Sequence, residues 1–119
     1  RYLKLMRYAS VQSAELKQFV VDKIDDLKAR DVVVLDVSKQ SNITDYMVIC
    51  SGTSKTHVKA IAENLVVEAK KAGIPPLGVE GRESSEWVLV DMGDVILHVM
   101  QDQTRDFYQL EKLWSEKQD

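Results

Sequence analysis

The 119 residues predict an α+β fold: one domain, a mixed sheet of about five strands flanked by helices. Three observations carry that expectation. Two long stretches repeat apolar residues at helical spacing. Several short apolar or β-branched runs are too brief for helices and are bounded by turn residues. These segments follow one another as helix, strand, strand, helix, strand, hairpin and helix, with no internal repeat or low-complexity stretch.

Residues 1–12 show no period and are expected to be a tail or extension, with the domain spanning 13–119. The first helix is expected over Ser13–Arg30, because Leu16, Phe19, Val20, Ile24 and Leu27 share one face. Ser13 is its expected N-cap, although no Glu follows at the position that completes a capping box. Val32–Val37 reads as a strand, and Gln40-Ser41-Asn42 as a turn. A second strand, Tyr46–Cys50, ends at Ser51-Gly52. Ser54 then suits the N-cap of a helix whose stripe is Val58, Ile61, Ala62, Leu65, Val66 and Ala69. Gly73 with Pro75 and Pro76 stops it. Leu77–Glu80 reads as a short strand and Gly81–Glu86 as a polar loop. Trp87–Val90 and Val95–Met100 form a hairpin around Asp91-Met92-Gly93-Asp94, with Gly93 supplying a positive φ. Thr104–Glu116 holds one or two short helices.

Composition narrows the function. Hydrophobic content of 45% and charged content of 29% are those of a globular domain. Cys50 is the one cysteine, which precludes an internal disulfide and suits a reducing compartment. No apolar run approaches the roughly 18 residues of a membrane span, and the first ten residues lack a signal peptide's apolar core. The cytoplasm is the expected location. The net charge of −3, with Lys and Arg scattered among Asp and Glu, disfavours a protein that grips nucleic acid through a basic face. The main partner is expected to be protein.

The hairpin strands are nearly continuous apolar runs. They are either central strands covered on both faces, or part of their surface, with Trp87 and His98, faces a partner. Ser51-Gly52-Thr53-Ser54 lacks the Gly-Lys-Ser/Thr of a phosphate loop and reads as a turn with a helix cap. Asp91 and Asp94 lie across a turn, not two apart on a strand, so solvent or a partner is expected to meet them in preference to a metal. His57 is expected to cap or face solvent, His98 to be a hydrogen-bonded strand histidine, and Cys50 a small buried hydrophobe. No nucleophile, base and orienting group can be assembled, so an enzyme is not expected and no cofactor is implied. Leu110 and Leu113 suit a core; for Arg105, Tyr108 and Trp114 an interface and a structural role stay open.

Four segments, in order and spacing, resemble the ribosomal silencing factor family (RsfS, also called Iojap). They are Asp45–Ser54 with His57-Val58; Glu80-Gly81; Trp87–Val95 with His98; and Arg105 with Tyr108, Leu110, Glu111, Leu113 and Trp114. The resemblance covers about residues 13–116. It implies a nucleotidyltransferase-like fold without nucleotidyl transfer. It further implies docking on the large ribosomal subunit through its fourteenth ribosomal protein, a steric block to small-subunit joining, and repressed translation when nutrients are scarce. Organellar relatives are associated with ribosome assembly, and homodimers off the ribosome are a family trait. Carried onto this chain, the expected partner-binding residues are Trp87, Asp91, Met92, Asp94, His98, Arg105 and Tyr108, with little direct nucleic-acid contact and no membrane.

Overall fold

A computed structural model describes residues 12–116, so nearly all of the expected tail lies outside the described residues. The elements are α1 (Ser13–Asp25), β1 (Arg30–Asp36), β2 (Tyr46–Gly52), α2 (Lys55–Lys71), β3 (Gly78–Glu80), β4 (Trp87–Asp91), β5 (Val95–Gln101), α3 (Asp102–Tyr108) and α4 (Leu110–Glu116). One five-stranded sheet has the order β1-β2-β5-β4-β3. Its central pair, β2 and β5, is parallel; the other neighbours are antiparallel. The chain is thus an α+β domain with a mixed sheet, as expected.

Side-chain alternation sorts the strands into two faces. On the first, Val48 and Cys50 of β2, Val88 and Val90 of β4, and Val95, Leu97 and Val99 of β5 meet Leu16, Val20 and Ile24 of α1 and Val58, Ile61 and Leu65 of α2. All of these are fully buried, and each large aliphatic among them contributes about 1.5–3 kcal/mol. Ser54 caps α2 as expected, accepting the His57 N–H at 3.1 Å. Gly52 lets β2 approach α2 closely, since a Cβ there would lie 2.8 Å from Val58.

Three local expectations change. Helix α1 ends at Asp25, five residues early, because Lys28 turns left-handed at φ 60° and the Ala29 N–H closes back on the Ile24 carbonyl. That reversal frees Arg30 to start the edge strand. Gln12, not Ser13, is the N-cap; Ser13 lies inside the helix and its hydroxyl points to carboxylates instead. The C-terminal segment is two helices, broken where Gln109 adopts φ 48°.

The second face is covered over only part of its width. Leu110 and Trp114 of α4 pack on Val37, Met47, Ile49 and Met100, closing the β1–β2 side. Over β4 and the adjoining row of β5, Leu89, Asp91 and Ile96 stay half-buried. The reading of central strands covered on both faces therefore holds only in part. β5 is central and nearly all buried, whereas β4 alternates between buried and half-buried residues.

Candidate docking face

Register gathers the site. Trp87 pairs with Met100, Leu89 with His98 and Asp91 with Ile96, all on the second face; Glu80 pairs with Leu89 and Gly78 with Asp91 at the sheet's edge. The indole N–H of Trp87 donates to His98 Nδ1 at 2.9 Å. That bond makes Nδ1 an acceptor and leaves the His98 proton on Nε2 when the ring is neutral. Burial pushes the His98 pKa down to about 4, so the ring is neutral and the indole is held at neutral pH. Tyr108 of α3 also lies against Trp87, with ring centroids 5.0 Å apart, and Phe107 meets Tyr108 edge-on at 4.9 Å. Tyr108 is 56% exposed and Phe107 80%. The result is an aromatic shelf beside the half-buried Leu89 and Ile96, with Asp91 and the exposed Glu80 on its flank.

Arg105 holds the shelf in place from below. It is 8% exposed. One guanidinium N–H donates to Ser51 Oγ of β2 at 2.8 Å and another to Glu111 Oε2 of α4 at 2.8 Å. One side chain thereby ties α3, which carries Tyr108, to the sheet and to α4. Glu111 Oε1 is buried without a hydrogen-bond partner, so the carboxylate depends on that guanidinium.

The seven expected partner-binding residues thus divide. Trp87, Asp91 and Tyr108 reach the surface of the open face, and His98 lies directly beneath Trp87. Met92 does not reach it: its side chain is fully buried in the first-face core. Asp94 is not turned to solvent as expected but is 5% exposed. Its carbonyl accepts the N–H groups of Asp45 and Tyr46, and its carboxylate accepts from the Ser13 hydroxyl at 2.8 Å. That hydroxyl also lies 2.6 Å from Asp45 Oδ2. Arg105 is interior. The hairpin tip is pinned to α1 and to the start of β2, which is why its residues turn inward. Asp91 is the carboxylate left at the surface, accepting the Gly93 N–H at 2.8 Å.

Leu89, Ile96 and Phe107 belong to the face and were not singled out from sequence. Counting alternate residues from Trp87 and from His98 finds the first two. Nothing local marks Phe107. His57 does not merely cap or face solvent: its Nδ1 accepts the Thr53 N–H at 2.8 Å and its Nε2 reaches the Leu27 carbonyl at 2.7 Å, joining α2 to the loop after α1. Cys50 is buried as expected, and burial raises its thiol to about 12. A crevice of about 540 Å³ beside Ser51 and Arg105 is lined also by Asp31, Asp102, Asp106 and Glu111. Among the described residues, no group of three or more His, Cys, Asp or Glu is arranged to hold a metal ion. No described helix is long and apolar enough to cross a membrane.

Comparison with known proteins agrees with this architecture. Residues 10–119 match the family described as "Ribosomal silencing factor during starvation". The ribosomal silencing factor RsfS of Haemophilus influenzae is 48% identical over 100 residues, covering 84% of this chain and 98% of the relative. The mouse protein named mitochondrial assembly of ribosomal large subunit protein 1 is 40% identical over 90 residues, which span 73% of this chain and 40% of that protein. A crystal structure of a Chromobacterium violaceum protein superposes with a TM-score of 0.86 at 40% identity, covering 88% of each chain. A Bacillus halodurans structure gives 0.78 at 44% identity, covering 85% of this chain and 94% of that one. A fold, a sheet order and a sequence match of this extent make the chain a member of the ribosomal silencing factor family.

Proposed function

We propose that the chain docks on the large ribosomal subunit through the open half of the second sheet face, with the fourteenth ribosomal protein as its main contact, and hinders joining of the small subunit. It works by occupying a site, not by catalysis, in the cytoplasm, and lowers translation when nutrients are scarce. One observation carries the reading: the aromatic shelf of Trp87 and Tyr108 beside Leu89 and Ile96 is apolar, preorganised and only partly covered by the described helices. Burying aromatic anchors within a polar rim is how protein interfaces gain most of their affinity. Asp91 and Glu80 supply an acidic flank suited to the basic side chains of a ribosomal protein. Off the ribosome, the same apolar face suits a second copy of the chain.

A second reading, assembly of the large subunit through the same face, is favoured by the mouse relative's name. Sucrose-gradient sedimentation of purified subunits separates the two. Comigration with the large subunit and a smaller joined peak support silencing. Comigration with undiminished joining, together with occupancy of large-subunit precursors, supports assembly. Trp87→Ala with Tyr108→Ala should abolish comigration while the domain stays folded. Undiminished comigration of that folded variant rules out this face. Asp94→Lys is unsuited to the purpose, since it places a cation in a buried position and unfolds the hairpin tip.

A further inference from the structure

Helix α2 carries a charge pattern that the docking reading does not use. Lys55, Lys59, Glu63 and Lys70 fall at i, i+4, i+8 and i+15, which places them along one flank of the helix. His57 and Asn64, on a different flank, contact the Leu27 and Lys23 carbonyls at the end of α1. The lysine row is therefore turned away from α1 and its carboxylates Asp22, Asp25 and Asp26. The one acid in the row is neutralised, because Arg82 from the loop before β4 meets Glu63 at 2.6 Å. Lys55, Lys59 and Lys70 are exposed, and none has an ion pair or hydrogen bond among the described residues. No acidic residue stands in the first turn, so the positive end of the helix dipole adds to Lys55. A chain of net charge −3 thus exposes a row of three uncompensated cations about 22 Å long, at about 1.5 Å per residue.

We infer that this flank of α2 binds the phosphodiester backbone of RNA. Three lysines in line over that distance can each meet a phosphate of a strand laid along the helix. Val67, 46% exposed, is the apolar residue in this row, and no aromatic anchor stands with the lysines, which fits contact with a backbone better than contact with a protein. RNA is favoured over other polyanions because the working place proposed above is a ribosomal particle, and to that extent the inference rests on that reading. Since α2 covers the first face of the sheet and the aromatic shelf lies on the second, one molecule can hold a protein and an RNA strand at once. The expectation of little nucleic-acid contact, drawn from net charge, does not extend to this local row.

The test is fluorescence anisotropy with a labelled single-stranded RNA of about 20 nucleotides, on the full chain alone. Three phosphate contacts give a slope of log affinity on log salt of about −2. Lys55→Gln/Lys59→Gln/Lys70→Gln should weaken binding at low salt by at least about tenfold and bring the slope close to zero. Trp87→Ala should leave both unchanged, which separates this surface from the docking face. Equal affinity and slope for wild type and the triple variant overturn the inference, as does no RNA binding by the wild type at about 20 mM salt. Equal or tighter lysine-dependent binding of a polyglutamate peptide overturns RNA as the occupant. All three lysines are exposed, so the triple variant should melt with the wild type; the single variants, each expected to lower the slope by about 0.7, give the same test independently.

Discussion

Replacing Arg105 with alanine should destabilise the domain by about 3 kcal/mol. The guanidinium makes two charge-assisted hydrogen bonds, to Ser51 and Glu111, each contributing about 1.5–3 kcal/mol when fully desolvated. Ser51 is 1% exposed, so its bond keeps that weight. The Glu111 side chain retains 29% of its exposure, which lets water recover part of what it loses and keeps the sum at the lower end. For a chain of this size about 3 kcal/mol corresponds to a fall in Tm of about 12 °C. Urea denaturation of the wild type, Arg105→Ala, Glu111→Gln and the double variant forms a thermodynamic cycle. Its coupling should exceed about 1 kcal/mol, because the double variant no longer buries an unpaired carboxylate. A loss under about 1 kcal/mol for Arg105→Ala, or strictly additive losses, would refute the view that this side chain ties α3 to the sheet.

Four further variants have outcomes set by the same structure. His98 has a folded pKa of about 4 against 6.5 when exposed, so only the unfolded chain takes up its proton between those values. Its contribution is complete above pH 6.5 and falls by about 3 kcal/mol as pH drops to about 4; in urea titrations at several pH values, His98→Gln should lose that part of the slope, and an unchanged slope refutes it. Gly81→Ala should cost about 3 kcal/mol and weaken large-subunit binding, since at φ 88° a Cβ would sit 2.0 Å from the Trp87 carbonyl oxygen. Gly73→Ala, at φ 78° with open space around it, should cost only about 1 kcal/mol; equal losses on thermal melting would show that the clash does not matter. Ser54→Ala should remove the cap of α2 and lower stability by about 1 kcal/mol, read by the same melts.

Most of the fold was legible because local pattern and tertiary environment agree. The Val58–Ala69 stripe is the buried face of α2, and Gly93, at φ 92°, turns the hairpin as its position suggested. The hairpin tip was not legible. Asp94 reads as a surface turn residue, yet its carbonyl satisfies N–H groups at Asp45 and Tyr46, almost half the chain away. No local spacing encodes such a contact. The same applies to Arg105, whose partners Ser51 and Glu111 come from a strand and a helix that no sequence neighbourhood joins. For Trp87 and Tyr108, by contrast, chemistry alone left an interface role open, and the structure sets the two rings side by side at the partly covered face. What sequence missed was how much of the face beside them α4 leaves open, since that depends on where Leu110 and Trp114 come to rest.

The parallel pairing of β2 with β5 has a consequence for synthesis. β5 enters the sheet between β2 and β4, so residues 46–52 wait for residues 95–101 before the sheet is continuous. Contacts so distant in sequence form late, after their loop-closure entropy has been met. Leu89 and Trp87 gain their setting only when β5 arrives, and Tyr108 lies beyond it. A chain still emerging from the ribosome, or cut short before residue 101, therefore lacks the docking face proposed above. On that proposal, competence to dock arrives only after β5 and α3 have been made, however early the rest of the sheet is synthesised.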